Sequence, residues 1–233
     1  MQVKERKYQE RVGRFVYADA NEKQSCREFK LNCIENSKFS DDLNNFLTLS
    51  ADSFEFEQMI ALNSRFSKVA VIDSYEFDAE TYINGLPKYK QLKKKHQILN
   101  YKQGDIFNAE FEKYDVVDLD LCGSFTIDKL NNMVSAFQRF EKGFAFITMT
   151  KNVRNSSLLE YLDVFGAKDY AHFRDKVFKN YMGEMCGLKQ YVRPYCYANK
   201  SKSAYAKEMI TYVFTKNLKN NLHINFFIIS FTS

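Results

Sequence analysis

The chain has 233 residues, 45% of them hydrophobic and 27% charged, with 22 Phe, 15 Tyr and no Trp. That balance excludes a disordered chain and fits one domain with a sizeable core. The net charge of +5 at pH 7 permits an acidic or nucleic-acid partner without demanding one.

Residues 1–10 are charged and have no apolar stretch, so no secretory leader is expected and the setting should be cytoplasmic. The cysteines Cys26, Cys33, Cys122, Cys186 and Cys196 form no CxxC pair, and His96, His172 and His223 have no ligand spacing. Reduced thiols and no metal site follow. The run from Phe226 to Ile229 is too short to span a bilayer, so no membrane partner is expected.

Residues 1–45 read as helical, with Cys26, Phe29, Cys33 and Ile34 at helical spacing and Asp19 or Asn21 as a cap. Residues 46–49 form a short apolar strand. A helix follows, marked by Phe56, Met59, Ile60 and Leu62. Residues 69–72 form a second strand ending at Asp73, and a helix over 78–94 should break near Pro87. Its lysines Lys88, Lys90, Lys93, Lys94 and Lys95 suit a solvated face, with a phosphate-contacting patch as the sharper reading.

A third strand over 97–101 leads to Gly104-Asp105. Residues 114–119 form a fourth strand that delivers carboxylates to its C-terminal end. A helix over 127–140 and a fifth strand over 144–149 complete the alternation. Strands and helices alternating in this way imply a parallel sheet covered on both faces. The chain then changes character. Residues 190–199 and 209–214 are rich in Tyr, Val and Phe and are joined by Lys200-Ser201-Lys202-Ser203, which reads as an antiparallel hairpin. Within it Tyr191, Arg193, Tyr195, Tyr197 and Tyr205 suit either base stacking or a half-exposed sheet.

Five strand–helix units followed by a hairpin resemble the class I S-adenosylmethionine-dependent methyltransferases over about residues 46–215. The resemblance implies an α/β fold: a Rossmann-like, doubly wound, mostly parallel seven-stranded sheet with a C-terminal antiparallel hairpin. It divides the chain into a cover segment (1–45), the α/β domain (46–216) and a tail (217–233). Residues 13–21, a mixture of basic, aromatic and polar groups, would belong to the cover. The cofactor implied is S-adenosylmethionine. Asp73, or the nearby Glu76, stands where the family's acidic residue meets the ribose hydroxyls. Asp105, followed by Ile106, stands where the adenine amino group is met. Ser50, Ala51, Asp52 and Ser53 occupy the loop that lines the methionyl end.

Asp118-Leu119-Asp120-Leu121-Cys122-Gly123-Ser124 is similar to the Asp-Leu-Asp-Pro-Phe-Gly-Ser signature of the tRNA guanine-N2 dimethyltransferases. The resemblance implies that Asp120 is catalytic, lying by the transferring methyl group and accepting from the target amine, with Asp118 beside the cofactor. Gly143 and the strand ending at Thr150 also resemble that family. The chain departs from the pattern at Leu121 and Cys122, which replace a proline and a base-stacking aromatic, although Phe125 is near. It departs again in the first loop, which has no glycine and carries Phe54 and Glu55. Cys122 as a nucleophile has no supporting base in the sequence and reads better as a small buried thiol.

The function implied is methyl transfer to an amino group of a nucleic acid, RNA before DNA. The alternative is a catalytically inactive descendant of the fold, a binding or scaffold module of viral or mobile-element origin. A dehydrogenase-like nucleotide binder needs the same missing glycines and leaves the hairpin unexplained.

Overall fold

A computed structural model of the chain describes residues 20–37, 39, 42–50, 53–121, 127–151, 162–163, 165–199 and 207–218. In chain order the elements are α1 (Ala20–Glu35), β1 (Asn45–Leu49), α2 (Glu55–Leu62), β2 (Val71–Glu76), α3 (Ala79–Lys95), β3 (Leu99–Gln103), β4 (Val116–Asp120), α4 (Ile127–Arg139) and β5 (Gly143–Thr150). A helical turn α5 (Tyr170–His172) runs through a π-helical stretch (Phe173–Phe178) into α6 (Lys179–Cys186), and β6 (Lys189–Gln190), β7 (Tyr195–Asn199) and β8 (Lys207–Lys216) follow.

The sheet has the order β3-β2-β1-β4-β5-β8-β6, with β7 also paired to β8. The first five strands pair in parallel, and β8 is antiparallel to β5. β6 and β7 lie along the same flank of β8. Their registers, Gln190 opposite Phe214 and Tyr195 opposite Thr211, differ by two inserted residues. The gap contains Pro194, which has no N–H for the ladder. The two pieces therefore act as one interrupted strand, so that the eight described strands fill seven positions, as expected.

The chain builds outward from β1 to β3, then crosses back to add β4 and β5 on the other side. The neighbours β1 and β4 therefore mark the point where the strand order reverses. Above the carboxyl ends at such a point lies the natural ligand crevice.

Side chains alternate across each strand and supply two cores. On one face Leu47, Val117, Leu119, Ala145 and Ile147 pack with Leu130, Met133 and Phe137 of α4 and with Met182 and Cys186 of α6. On the other, Phe46, Ile72, Val116, Phe144 and Phe146 pack with Leu31 and Ile34 of α1, Phe56 and Ile60 of α2 and Leu92 of α3. α1 also reaches the far edge of the sheet, where Phe29 stacks on Tyr195 of β7 at 4.8 Å.

At the opposite end of the sheet, Gly143 opens β5 at φ +116°, and a Cβ there would lie 1.8 Å from the Asp115 carbonyl oxygen. Only glycine fits a backbone that close. Asp115 ties the same end together by accepting from the N–H groups of Asn44 and Asn45.

Three local expectations change. β2, β3 and β4 each run further at their carboxyl ends than the apolar runs suggest, because polar residues such as Ser74, Glu76, Lys102 and Gln103 continue the ladder. α3 does not break at Pro87. The carbonyl that a proline four residues on leaves without a donor is that of Ile83, which is exposed, so water can take its place. Asn21 lies inside α1 and is not its cap, while Asp19 falls outside the described residues.

Candidate functional site

The crevice above β1 and β4 is built from strand ends. Ser50 follows β1. Its N–H donates to the Tyr75 carbonyl at 3.2 Å, which continues the ladder one residue beyond the strand. Its hydroxyl is buried and has no hydrogen-bond partner among the described residues. A buried hydroxyl left alone costs stability, so an orphan at a ligand crevice is a group awaiting a partner. Ala51 and Asp52 lie outside the described residues. Ser53 is half-buried, and its carbonyl accepts from the Gln58 amide at 3.1 Å.

Phe54 caps α2 in the left-handed region, φ 49° and ψ 31°, a conformation that favours glycine. The loop thus keeps a glycine-like backbone without the glycine. The ring turns away from the crevice into the core, edge-on to Tyr101 at 4.7 Å, and is fully buried. That burial offsets the backbone strain and leaves the crevice clear of the side chain. Glu55 begins α2 and pairs with Arg27 of α1 at 2.5 Å, which neutralises the extra negative charge.

The acidic residues divide sharply. Asp73 is the third residue of β2 rather than its end. Its carboxylate accepts from Asn100 Nδ2 at 2.8 Å, Lys102 Nζ at 2.7 Å and the Tyr114 hydroxyl at 2.6 Å. Burial acts to raise this carboxyl, but the three donors outweigh it and hold it below its ordinary value. With these donors in place, Asp73 is committed to the sheet. Glu76 stands at the true end of β2, half-buried, with Oε1 accepting from the Asp78 N–H at 2.9 Å. The apolar run ends at Ile72, four residues before the strand does, which places Asp73 at the end of the run but inside the strand.

Asp105 caps the turn after β3, its Oδ1 accepting from the Phe107 N–H at 3.0 Å. Ile106 puts its side chain into the α4-side core, leaving its backbone at the edge. Asp118 is the third residue of β4 and is buried. Both of its oxygens are held by Lys30 of α1, at 2.7 and 3.0 Å. Burial works against the Lys30 charge, but Asp118 overrides it and keeps the ammonium protonated. Asp120 is the last residue of β4 and carries Lys23 of α1 at 3.4 Å, each side chain less than one-fifth exposed. Cys122 and Phe125 lie outside the described residues.

Lys23, Arg27 and Lys30 are spaced to share one face of α1. Each meets a carboxylate at or beneath the crevice: Asp120, Glu55 and Asp118 respectively. This cationic face was missed from the sequence, although its period was there to be read between the apolar positions Cys26, Phe29 and Cys33. A second buried group was missed as well. Glu57 of α2 accepts from the Thr48 hydroxyl at 2.6 Å and the Ser74 hydroxyl at 3.1 Å. Burial pushes its carboxyl above the ordinary range. Further along, Thr211 links Cys26 at 3.2 Å to Thr148 at 2.9 Å. Together these groups make a polar layer under α1 and α2.

The aromatic residues of the hairpin face inward. Tyr195 stacks on Phe29, Tyr191 meets Phe144 edge-on at 5.3 Å, and Tyr197 is buried beside Cys26 and Met209. These rings pack on the sheet, with Tyr191 and Tyr195 half-buried, and Tyr205 lies outside the described residues. On α3, Lys93 donates to the Gln97 carbonyl and to Asn100, while Lys88, Lys90, Lys94 and Lys95 are exposed as on a solvated face. Among the described residues no His, Cys, Asp and Glu cluster could hold a metal ion, and no helix is long and apolar enough to cross a membrane.

No protein-family model matches the chain, and no curated protein sequence does. Solved structures do match. M. jannaschii TYW2 in complex with AdoMet superposes with a TM-score of 0.52 at 12% identity, over 88% of this chain and 80% of that one. The magnesium protoporphyrin IX methyltransferase ChlM from Synechocystis PCC 6803, with bound SAH, gives 0.56 at 12% identity over 83% and 82%. The methyltransferase domain of bacterial CtHen1 gives 0.57 at 9% identity over 84% and 100%. The chain shares its overall fold with these solved structures. Within that fold the strand ends carrying Ser50, Glu76 and Asp120 border the crevice where the strand order reverses.

Proposed function

We propose that the protein binds S-adenosylmethionine and transfers its methyl group to an amino group of a nucleic acid, RNA before DNA. The observation that carries the cofactor reading is the buried, unpartnered Ser50 hydroxyl at the end of β1, beside the carboxylates that end β2 and β4. This donor and acceptor set fits a zwitterionic nucleoside. The left-handed backbone at Phe54 supports the fit, because the loop keeps the conformation that allows close approach and its ring is packed elsewhere.

In this reading Ser50 and Ser53, with Ala51 and Asp52, line the methionyl end. Glu76 takes the ribose role first considered for Asp73, since carboxylate oxygens match hydroxyl donors. Asp105 and the Ile106 backbone meet the adenine edge. Asp118 acts beneath the site, through its pair with Lys30. When bound, the cofactor supplies a methyl group on a sulfonium centre. Asp120 accepts a hydrogen bond from the acceptor amine and orients its lone pair, so that its contribution is positioning. The nucleic-acid substrate rests on the resemblance of residues 118–124 and on the basic balance of the chain.

A non-catalytic role is the second reading. It is favoured by the three cations of α1 closing on Asp118, Asp120 and Glu55. Calorimetry and thermal shift with S-adenosylmethionine and S-adenosylhomocysteine separate the two. Ligand at 100 times Kd stabilises the folded state by about 2.7 kcal/mol, whereas no shift at millimolar ligand rules out the enzyme reading. With labelled cofactor and bulk RNA or DNA as acceptor, Asp120→Ala is expected to abolish methyl transfer and largely keep cofactor affinity. A large loss of affinity instead would reassign Asp120 to the cofactor.

A further inference from the structure

We propose that Lys23 sets how this site discriminates between S-adenosylmethionine and its product S-adenosylhomocysteine. The inference rests on the proposed function above, in which Asp120 orients the amine toward the sulfonium methyl and so lies near that charge. The two ligands differ by one methyl group and one positive charge. A lone carboxylate at Asp120 would favour the charged one. Lys23 places an ammonium 3.4 Å from that carboxylate and cancels much of its field.

The cancellation is built in. Lys23 is held on a helix that cannot swing freely. Seven residues along, Lys30 is buried against Asp118 at 2.7 Å, and Phe29 is stacked on Tyr195. Arg27 is engaged with Glu55, so the neighbouring cation on the same face is also spoken for. Lys23 is itself only 18% exposed, which sets it apart from a mobile surface lysine whose charge water would screen. A half-buried pair retains enough of its Coulomb interaction to change a binding ratio.

The neutral product serves as an internal control, since steric damage to the crevice weakens both ligands alike. Both are titrated by calorimetry into the full chain, wild type and the variants Lys23→Met, Lys23→Arg and Asp120→Asn. In Lys23→Met the ratio of the homocysteine Kd to the methionine Kd is expected to rise by at least about fivefold, since one unit charge at about 4 Å is worth about 1 kcal/mol even in bulk water and more where water is excluded. Lys23→Arg keeps the wild-type ratio. Asp120→Asn leaves the ammonium facing the sulfonium, and the ratio drops below wild type.

A ratio that stays constant in Lys23→Met while both affinities move together overturns the proposal, as does a ratio that falls. If Lys23→Met loses both ligands, Lys23→Gln takes its place: a raised ratio supports the proposal and an unchanged one overturns it. Wild-type protein that binds neither ligand removes the proposed function and this inference with it. Wild-type protein that binds both, with a ratio insensitive to every substitution, removes this inference alone.

Discussion

The two faces of the sheet solve the same packing problem with different chemistry. Under α4 and α6 the contact is apolar, from Leu47 through Leu119 and Ile147 to Phe137. Under α1 and α2 the apolar core occupies the lower half, and a polar layer takes over towards the carboxyl ends. There Lys30 meets Asp118, Glu57 meets Thr48 and Ser74, and Thr211 joins Cys26 to Thr148. Apolar contacts are non-directional and tolerate changes of shape, whereas buried polar groups need each partner in place. The polar layer lies directly beneath the crevice, so the face that is hardest to keep folded is the one that shapes the site.

The sharpest break in that contrast is Lys30→Met. It strands a buried carboxylate at Asp118 and is expected to cost about 3–5 kcal/mol in denaturant unfolding. Pairing it with Asp118→Leu should recover most of the loss, since a buried ion pair replaced by apolar groups is often neutral or better. If the single change costs less than about 1 kcal/mol, the pair behaves as a surface one and the contrast collapses.

On the apolar face, Leu130→Met is a volume-conserving swap among apolar neighbours, expected to cost about 1.5 kcal/mol or less. A cost equal to that of Lys30→Met would show the apolar face to be just as exacting.

Titration sharpens the comparison from another side. Glu57, on the polar face, has its folded-state value raised by burial. Its contribution to stability is full below its ordinary value near 4.5 and drains away as pH rises through the raised value. Burial pushes Asp118 the same way, with Lys30 opposing it. Asp73 has its value lowered by its three donors despite burial. Its contribution is present above its ordinary value near 3.8 and is lost as pH falls through the lower folded value. Glu57→Gln is thus expected to match wild type near pH 4 and to gain relative stability on going to pH 8. Asp73→Asn should be destabilised at neutral pH and converge with wild type in acid. Parallel pH profiles for the two variants would remove the distinction.

The smallest effect belongs to Ser50→Ala. Deleting a buried, unpartnered hydroxyl removes its desolvation penalty and should raise stability by about 1 kcal/mol. If the hydroxyl bonds the cofactor, affinity for S-adenosylmethionine should fall by about 1 kcal/mol, close to fivefold. No change in affinity would leave the orphan hydroxyl without a role.

The strands were legible because a parallel sheet buried on both faces writes itself as continuous apolar runs, as in Phe144 to Met149. Their carboxyl ends were less legible. Val69 to Ile72 marks the start of the second strand, but Ser74 and Glu76 continue it by backbone pairing, which side-chain polarity does not report. Glu76, and not Asp73, ends the strand for that reason. The loop at 50–54 was legible as a departure from the family pattern but not as a workable one. The left-handed backbone at Phe54 and the burial of its ring depend on Tyr101, which lies far along the chain.

The sequence alone determined the alternation of strands and helices, the terminal hairpin and the arrival of carboxylates at successive strand ends. Each is written in local periodicity and composition. The tertiary structure decided which distant partner each carboxylate meets. It set Asp73 against Lys102, Asn100 and Tyr114, gave Asp118 to Lys30, and left Ser50 without a partner beside Glu76 and Asp120. Those pairings join residues dozens of positions apart, and no local pattern encodes which distant donor a carboxylate will meet.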